Sequence, residues 1–277
     1  MTISGSNTNP GSGDAPTTEF DRSTRVEPVV GNPGAFAAQL DYGWSSLVGI
    51  HGGYMCAIGV SAAAAVVPEQ AVRTCTTSFL RTAEVGTALV NVRELRRGRT
   101  MSTLVVELTQ NDRLLTSSRM TLMAPRSSSE WGSPVAVDLP PVTECVPFVP
   151  PMGLVNFDRF ELRFDPDRRP FDNDGARVCG YVRPIEARPI DAAWLAMAVD
   201  CFPPPAFARV APPTGGMSID LTTHVHDAST VLADGEWLVG EFVVLESRAG
   251  LAVEHGRIVR ADGVVLAESF HTRLMAG

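Results

Sequence analysis

Asn111-Asp112-Arg113-Leu114-Leu115-Thr116-Ser117-Ser118-Arg119-Met120-Thr121-Leu122-Met123-Ala124 runs alongside Ala261-Asp262-Gly263, Val265-Leu266-Ala267-Glu268-Ser269-Phe270-His271-Thr272 and Leu274-Met275-Ala276, with Val264 and Arg273 left as single-residue gaps. The C-terminal half of the chain therefore reads as a diverged copy of the N-terminal half. Working back, Arg73 to Arg81 can be laid on Ser218 to His226, and His51 through Val60 on Asp191 through Asp200. Down these columns Val60 faces Asp200, Arg73 faces Ser218 and Met120 faces His271. An acid, a hydroxyl and an imidazole kept in one copy only point to one active site per chain.

Each copy carries one helical signal followed by strands. Gly52-Gly53 opens an alanine-rich helix that stops before Pro68, and Asp191, after Pro189, is a good N-cap for a helix that Pro203-Pro204-Pro205 ends. Asp200 then falls nine residues into the second helix, on the face of Ala193, Ala196 and Met197. Downstream, Leu104, Val106 and Leu108 alternate with Thr103, Val105 and Glu107, which is the period of a strand. Asp234-Gly235 and Asp262-Gly263 read as hairpin turns. On the strand after Met217, Ser218, Asp220, Thr222 and His224 form a polar face against Ile219, Leu221 and Val225.

These signals divide the chain into a floppy tail at 1–19, an N-terminal copy at 20–125, a Ser- and Pro-rich linker at 126–153 and a C-terminal copy at 154–277. The linker composition is not that of a strand continuing either sheet. A curved antiparallel sheet wrapped around one apolar helix buries that helix economically, and two such units side by side make a longer sheet. The predicted class is α+β, a double hotdog.

Composition narrows the function. A net charge of −8 opposes a sequence-independent grip on nucleic acid. The longest apolar stretch, Met55 to Val67, is too short to span a bilayer, and no signal peptide precedes it. The five cysteines show no C-x-x-C spacing, so neither a zinc site nor a disulfide framework is expected, and the compartment reads as reducing. A soluble cytoplasmic protein is the expectation. His224 and His226 share a strand face with no third ligand indicated, so no metal is expected. No Walker loop or G-x-G-x-x-G occurs; Gly215-Gly216 leads into a strand, where a phosphate loop would open a helix.

His51-Gly52-Gly53 at the start of an apolar helix resembles the HGG element of hotdog thioesterases. Met197-Ala198-Val199-Asp200, Ser218-Ile219-Asp220 and Val265-Leu266-Ala267-Glu268-Ser269 leading to His271 resemble the acyl-CoA thioesterase II family, over roughly residues 25 to 277. In that family an Asp, a Thr or Ser, and a Gln bind and activate a water. The resemblance puts these at Asp200, Ser218 and His271, with His where Gln is expected. It implies hydrolysis of a hydrophobic, fatty acyl-CoA without a cofactor, an acyl tunnel between the copies, and a homodimer or higher homo-oligomer.

Thioester hydrolysis needs an activated water and donors for the developing oxyanion. His51, Gly52 and Gly53 are candidates for the second task, because unencumbered N–H groups and the positive end of a helix dipole suit a carbonyl oxygen. Arg93, Arg96, Arg97 and Arg99 could meet the phosphates of coenzyme A or form a solvated charge run. Two rival readings are a non-catalytic acyl-thioester binding protein and an enoyl-CoA hydratase, the second lacking its Asp-x4-His motif. Asp200, Ser218 and His271 also have the composition of a nucleophilic triad; the Gln expected at 271 could not serve such a triad as base, which favours the water-binding trio.

Overall fold

The computed structural model describes residues 17–126, 131–150, 153–171, 175–208 and 215–275. The N-terminal copy consists of α1 (Glu19–Ser23), β1 (Val26–Pro28), β2 (Ala35–Leu40), the short pair β3 (Ser45–Ser46) and β4 (Gly49–Ile50), α2 (Gly52–Val66), β5 (Ala71–Phe79), β6 (Gly86–Arg96), β7 (Met101–Gln110) and β8 (Arg113–Met123). After β9 (Val146–Pro147), the C-terminal copy follows with β10 (Phe160–Phe164), β11 (Arg177–Pro184), β12 (Pro189–Ile190), α3 (Ala192–Ala198), β13 (Gly215–Val225), β14 (Thr230–Val231), β15 (Leu238–Arg248), β16 (Leu251–Val259) and β17 (Val265–Met275).

Thirteen strands form one sheet in the order β1-β2-β6-β7-β8-β5-β13-β17-β16-β15-β11-β10-β9. The order is nearly a palindrome about the β5–β13 pair, with a β6-β7-β8 meander on one side and β15-β16-β17 on the other. Thr222 lies opposite Thr76 at this junction, and their hydroxyls bond at 3.2 Å. Each helix lies against the sheet, and α2 and α3 pack on one another, so one apolar core runs through both copies. This is the double-hotdog architecture.

α2 is apolar nearly all round, and Gly53 through Val60 are buried without a break. A helix of that composition needs cover on every side. The sheet and α3 supply it, and β7 shows the matching alternation, with Ser102, Leu104, Val106, Leu108 and Gln110 turned inward.

Several sequence expectations change. α3 ends at Ala198, with Val199 as its C-cap, so Asp200 stands just beyond the helix. There the backbone tightens, the Asp200 N–H reaching the Met197 carbonyl at 3.0 Å, ahead of three prolines that cannot continue a helix. The tail expected over 1–19 is too long by its last residues: Thr18 is buried and caps α1 through Asp21. Residues 1–16 lie outside the described residues. The expected linker contributes β9, whose Val146 and Pro147 pair with Phe164 and Arg163 at the sheet edge, where a proline's missing N–H is tolerated; residues 127–130 and 151–152 are outside the described residues. Asp262-Gly263 does join β16 to β17, whereas Asp234-Gly235 turns the chain between β14 and β15, which are not neighbours. Among the described residues no helix is long and apolar enough to cross a membrane.

Leu221 is fully buried on β13, flanked by Thr77 of β5 and His271 of β17. Leu221→Ala is expected to lower unfolding free energy by roughly 2–5 kcal/mol, measured as a drop in the urea midpoint at constant slope.

Candidate active site

Asp200 reaches across from the C-terminal copy to the first turn of α2 in the N-terminal copy. One carboxylate oxygen, Oδ2, accepts the Gly53 N–H at 2.8 Å; the other, Oδ1, accepts from the Arg273 guanidinium at 3.2 Å and lies 3.6 Å from His271 Nδ1. Only 7% of the Asp200 side chain is exposed. Close approach needs glycine here: a Cβ on Gly53 would sit 2.8 Å from the Met197 carbonyl oxygen, and one on Gly52 would sit 3.0 Å from Asp200 Oδ2.

His51 caps α2. Its Nδ1 accepts the Tyr54 N–H at 3.2 Å, which puts the ring proton on Nε2, and Nε2 donates to the Asp200 backbone carbonyl at 2.9 Å. His51 thus holds the start of α2 to the end of α3. The Gly53 N–H, the expected donor to a thioester oxygen, is bonded to Asp200 Oδ2.

Ser218 arrives by a backbone irregularity. Its Oγ lies 2.8 Å from His271 Nε2. The β13–β17 register pairs Ser218 with Arg273 and Asp220 with Thr272, and the extra residue between, Ile219, is a bulge. A bulge reverses the alternation. Ser218 therefore shares the inward face with Leu221, His271 and Arg273, while Asp220, Thr222 and His224 line the opposite face. The single polar face expected over Ser218, Asp220, Thr222 and His224 is broken at its first member.

The same register corrects the alignment of the copies. Cys75 pairs with Met120 and Thr77 with Ser118 in the first; Leu221 pairs with His271 and Thr223 with Ser269 in the second. The first copy's bulge follows the Val72–Leu122 pair, and the second's follows Ser218–Arg273. Val72, not Arg73, is the counterpart of Ser218, and Arg273 needs no gap because it matches Leu122. The first copy thus offers Val60, Val72 and Met120 where the second has Asp200, Ser218 and His271. Arg73 instead reaches the Val225 and His226 carbonyls across the junction.

Sequence reasoning passed over two charged residues. Arg273 donates through Nε to Glu254 at 2.7 Å and through a terminal nitrogen to the Gly216 carbonyl at 3.1 Å, besides its bond to Asp200. Glu254 and Arg273 are both buried. Their signal was strand phase: Glu254 alternates in step with Ala252, Gly256 and Ile258, the inward face of β16, and Arg273 in step with Ser269 and His271.

Burial alone would raise the Asp200 pKa, but His51, His271, Arg273 and the Gly53 N–H together outweigh it and hold the carboxyl below its usual range. Burial, followed by repulsion from Arg273, pushes the His271 imidazole down to about 3, against the opposing pull of Asp200. His271 is therefore neutral at physiological pH.

Other candidates lie elsewhere. Arg97 bonds the Val66 carbonyl, Glu94 and Glu69 at the far end of α2, about 20 Å from Asp200 at 1.5 Å per helical residue. His226 bonds Glu268 at 3.1 Å on the outer face. A cavity of about 530 Å³ lined by Phe148, Phe157, Phe160, Leu162 and Arg183 opens at the β9–β11 edge, not between the copies.

A histidine with a depressed pKa disfavours protonation of the folded state, so stability tied to His271 is complete above its unfolded value near ~6.5 and drains as pH falls toward the folded value. Unfolding midpoints are expected to fall between pH 7 and pH 4, and His271→Gln should flatten that slope. An identical slope in the variant would contradict a buried neutral imidazole.

Comparison with known proteins bears on the fold and the family. Residues 40–124 match the model of the acyl-CoA thioesterase N-terminal domain and residues 134–275 that of the C-terminal domain. Among solved structures, a candidate thioesterase II from Thermobifida fusca YX superposes with a TM-score of 0.84 at 23% identity, covering 95% of this chain and 99% of that one. A hot dog fold protein from Alicyclobacillus acidocaldarius gives 0.84 at 22%, covering 94% and 99%. The acyl-CoA thioesterase II TesB2 of Mycobacterium marinum gives 0.72 at 17%, covering 93% and 97%. Comparison with curated protein sequences gives no match. With both domain models matched in order along one double hotdog, the chain belongs to the acyl-CoA thioesterase family and is a thioester hydrolase.

Proposed function

We propose that this enzyme hydrolyses hydrophobic, fatty acyl-CoA thioesters by direct attack of a water held among Asp200, Ser218 and His271, without a cofactor. The observation that carries the reading is the convergence of an ionised, buried Asp200 with the hydrogen-bonded Ser218–His271 pair at the start of α2. Asp200 takes a proton from water as its oxygen adds to the thioester carbon. The tetrahedral intermediate collapses with loss of the C–S bond, and the departing thiolate receives the proton from Asp200. Ser218, fixed by neutral His271, orients the water. The positive end of α2 at His51, Gly52 and Gly53 receives the thioester oxygen. Passing the Gly53 N–H from Asp200 to that oxygen polarises the carbonyl and frees a more basic carboxylate. The five free cysteines support a cytoplasmic setting.

One observation favours a second reading, a Ser218 nucleophile: the Asp200–His271–Ser218 chain of contacts has the order of a triad. The 3.6 Å between His271 Nδ1 and Asp200 weighs against it, because a triad acid orients its histidine through a hydrogen bond and this separation exceeds one.

Thiol release across a panel of acyl-CoAs of graded chain length tests the substrate class, with activity expected to grow with chain hydrophobicity. Asp200→Asn should lower turnover by ~10²-fold or more while the protein stays folded; retention of a tenth of the wild-type rate would remove Asp200 from the role of base.

His271→Gln is expected to keep turnover within about tenfold of wild type, since Gln supplies a neutral partner to Ser218, whereas loss of a triad base costs ~10⁴-fold or more. Quenched-flow mass spectrometry should find no acyl adduct on Ser218; an adduct formed at a competent rate would establish the nucleophilic route instead.

A further inference from the structure

Beneath the trio lies a buried ion pair with no role in the reaction as written. Glu254 on β16 and Arg273 on β17 are 2% and 6% exposed. Arg273 donates to Glu254 at 2.7 Å, to the Gly216 carbonyl at 3.1 Å and to Asp200 at 3.2 Å, so its fork is fixed on three sides. The Gly216 contact lies two residues before Ser218, and the Asp200 contact is on the carboxylate oxygen that faces His271. One guanidinium thereby touches the chain on both sides of the Ser218–His271 pair.

We propose that Arg273, anchored by Glu254, is a positioning residue for this site: it fixes the Asp200 carboxylate and the Gly216 carbonyl and holds a positive charge beside the Ser218–His271 pair. This rests on the reading of Asp200, Ser218 and His271 given above. A Gln cannot become cationic, but a His beside a carboxylate is drawn toward protonation, and a cation next to both opposes that. Every charged or titratable group facing the pair enters the balance. Asp200 meets His51, which caps α2, His271 and Arg273 from β17, and the thiols of Cys56 on α2 and Cys201 after α3; His271 meets Asp200, Arg273 and His51, and Glu254 stands opposite it across the β16–β17 pair. Arg273 is the fixed positive charge in this group, and Glu254 holds it without touching Asp200.

The test follows the His271 ring nitrogens by ¹⁵N NMR, assigned with His271→Gln, in wild type, Arg273→Lys, Arg273→Met, Glu254→Gln and the double variant Glu254→Gln/Arg273→Met. The double variant avoids leaving Glu254 buried without its partner. Wild-type His271 should stay neutral down to about pH 5. Arg273→Met should raise its protonation midpoint by roughly 1–3 pH units, and the acid limb of thiol release should move up with it; the double variant should show a rise relative to Glu254→Gln alone, since both of these lack the carboxylate opposite His271. Arg273→Lys keeps the charge without the fork; its midpoint should stay at the wild-type value while kcat falls.

A merely structural ion pair would lower thermal stability without moving the His271 midpoint. An unchanged midpoint in folded Arg273→Met, no rise from Glu254→Gln to the folded double variant, a shift in Arg273→Lys as large as in Arg273→Met, or failure of both Arg273→Met and the double variant to fold overturns the proposal. Absence of thiol release in a wild type that shows the NMR shifts would sink the hydrolytic reading alone; normal thiol release without the shifts would sink this one alone.

Discussion

Antiparallel pairing of β5 with β13 joins two sheets that would otherwise end in open edges. Across it Asp220 through His224 meet Thr74 through Ser78, with the two threonines at its centre. Because each strand is the innermost of its copy, the pairing brings the inward faces of both copies onto one core and sets α2 beside α3. The neighbours of the junction, β8 and β17, carry the residues in which the copies differ, Met120 and His271. A gap at the junction would expose α2, which has no polar face to offer water.

Within that frame a buried carboxylate ties the copies together. Asp200 is held by a backbone N–H of the opposite copy and by the Arg273 guanidinium, and hydrogen bonds to charged groups are each worth about 1.5–3 kcal/mol. Taking a carboxylate out of water costs several kcal/mol, so these contacts offset a penalty more than they stabilise the fold. A charge this expensive to bury is what the proposed hydrolysis calls for at Asp200. In the first copy, Val60, Val72 and Met120 occupy the corresponding positions and carry no such cost.

The bulge at Ile219 shows how a small backbone feature decides chemistry. With regular alternation, Ser218 would lie on the outer face with Asp220, beyond reach of His271. One extra residue turns it inward, and a matching bulge at Arg73 in the first copy shows that the device belongs to the duplicated unit and not to the C-terminal half alone.

By itself the sequence determined the duplication, the two helix starts, the strand-rich class and the columns in which an acid and an imidazole replace apolar residues. These are local or periodic properties: the His51 and Asp191 caps, the alternation in β7 and the apolar run of α2 are all written in neighbouring side chains. Only the tertiary structure decided the rest. The face of Ser218 depends on a register shift that no residue type announces, and the end of α3 before Asp200 is set by packing as well as by the prolines ahead. The engagement of Gly53 and the coupling of Glu254, Arg273 and Asp200 join residues up to 147 positions apart. Hydrogen bonds between strands and across helix ends carry no imprint in composition, because they are formed by backbone groups that every residue shares and by charges whose partners are chosen only when the sheet closes.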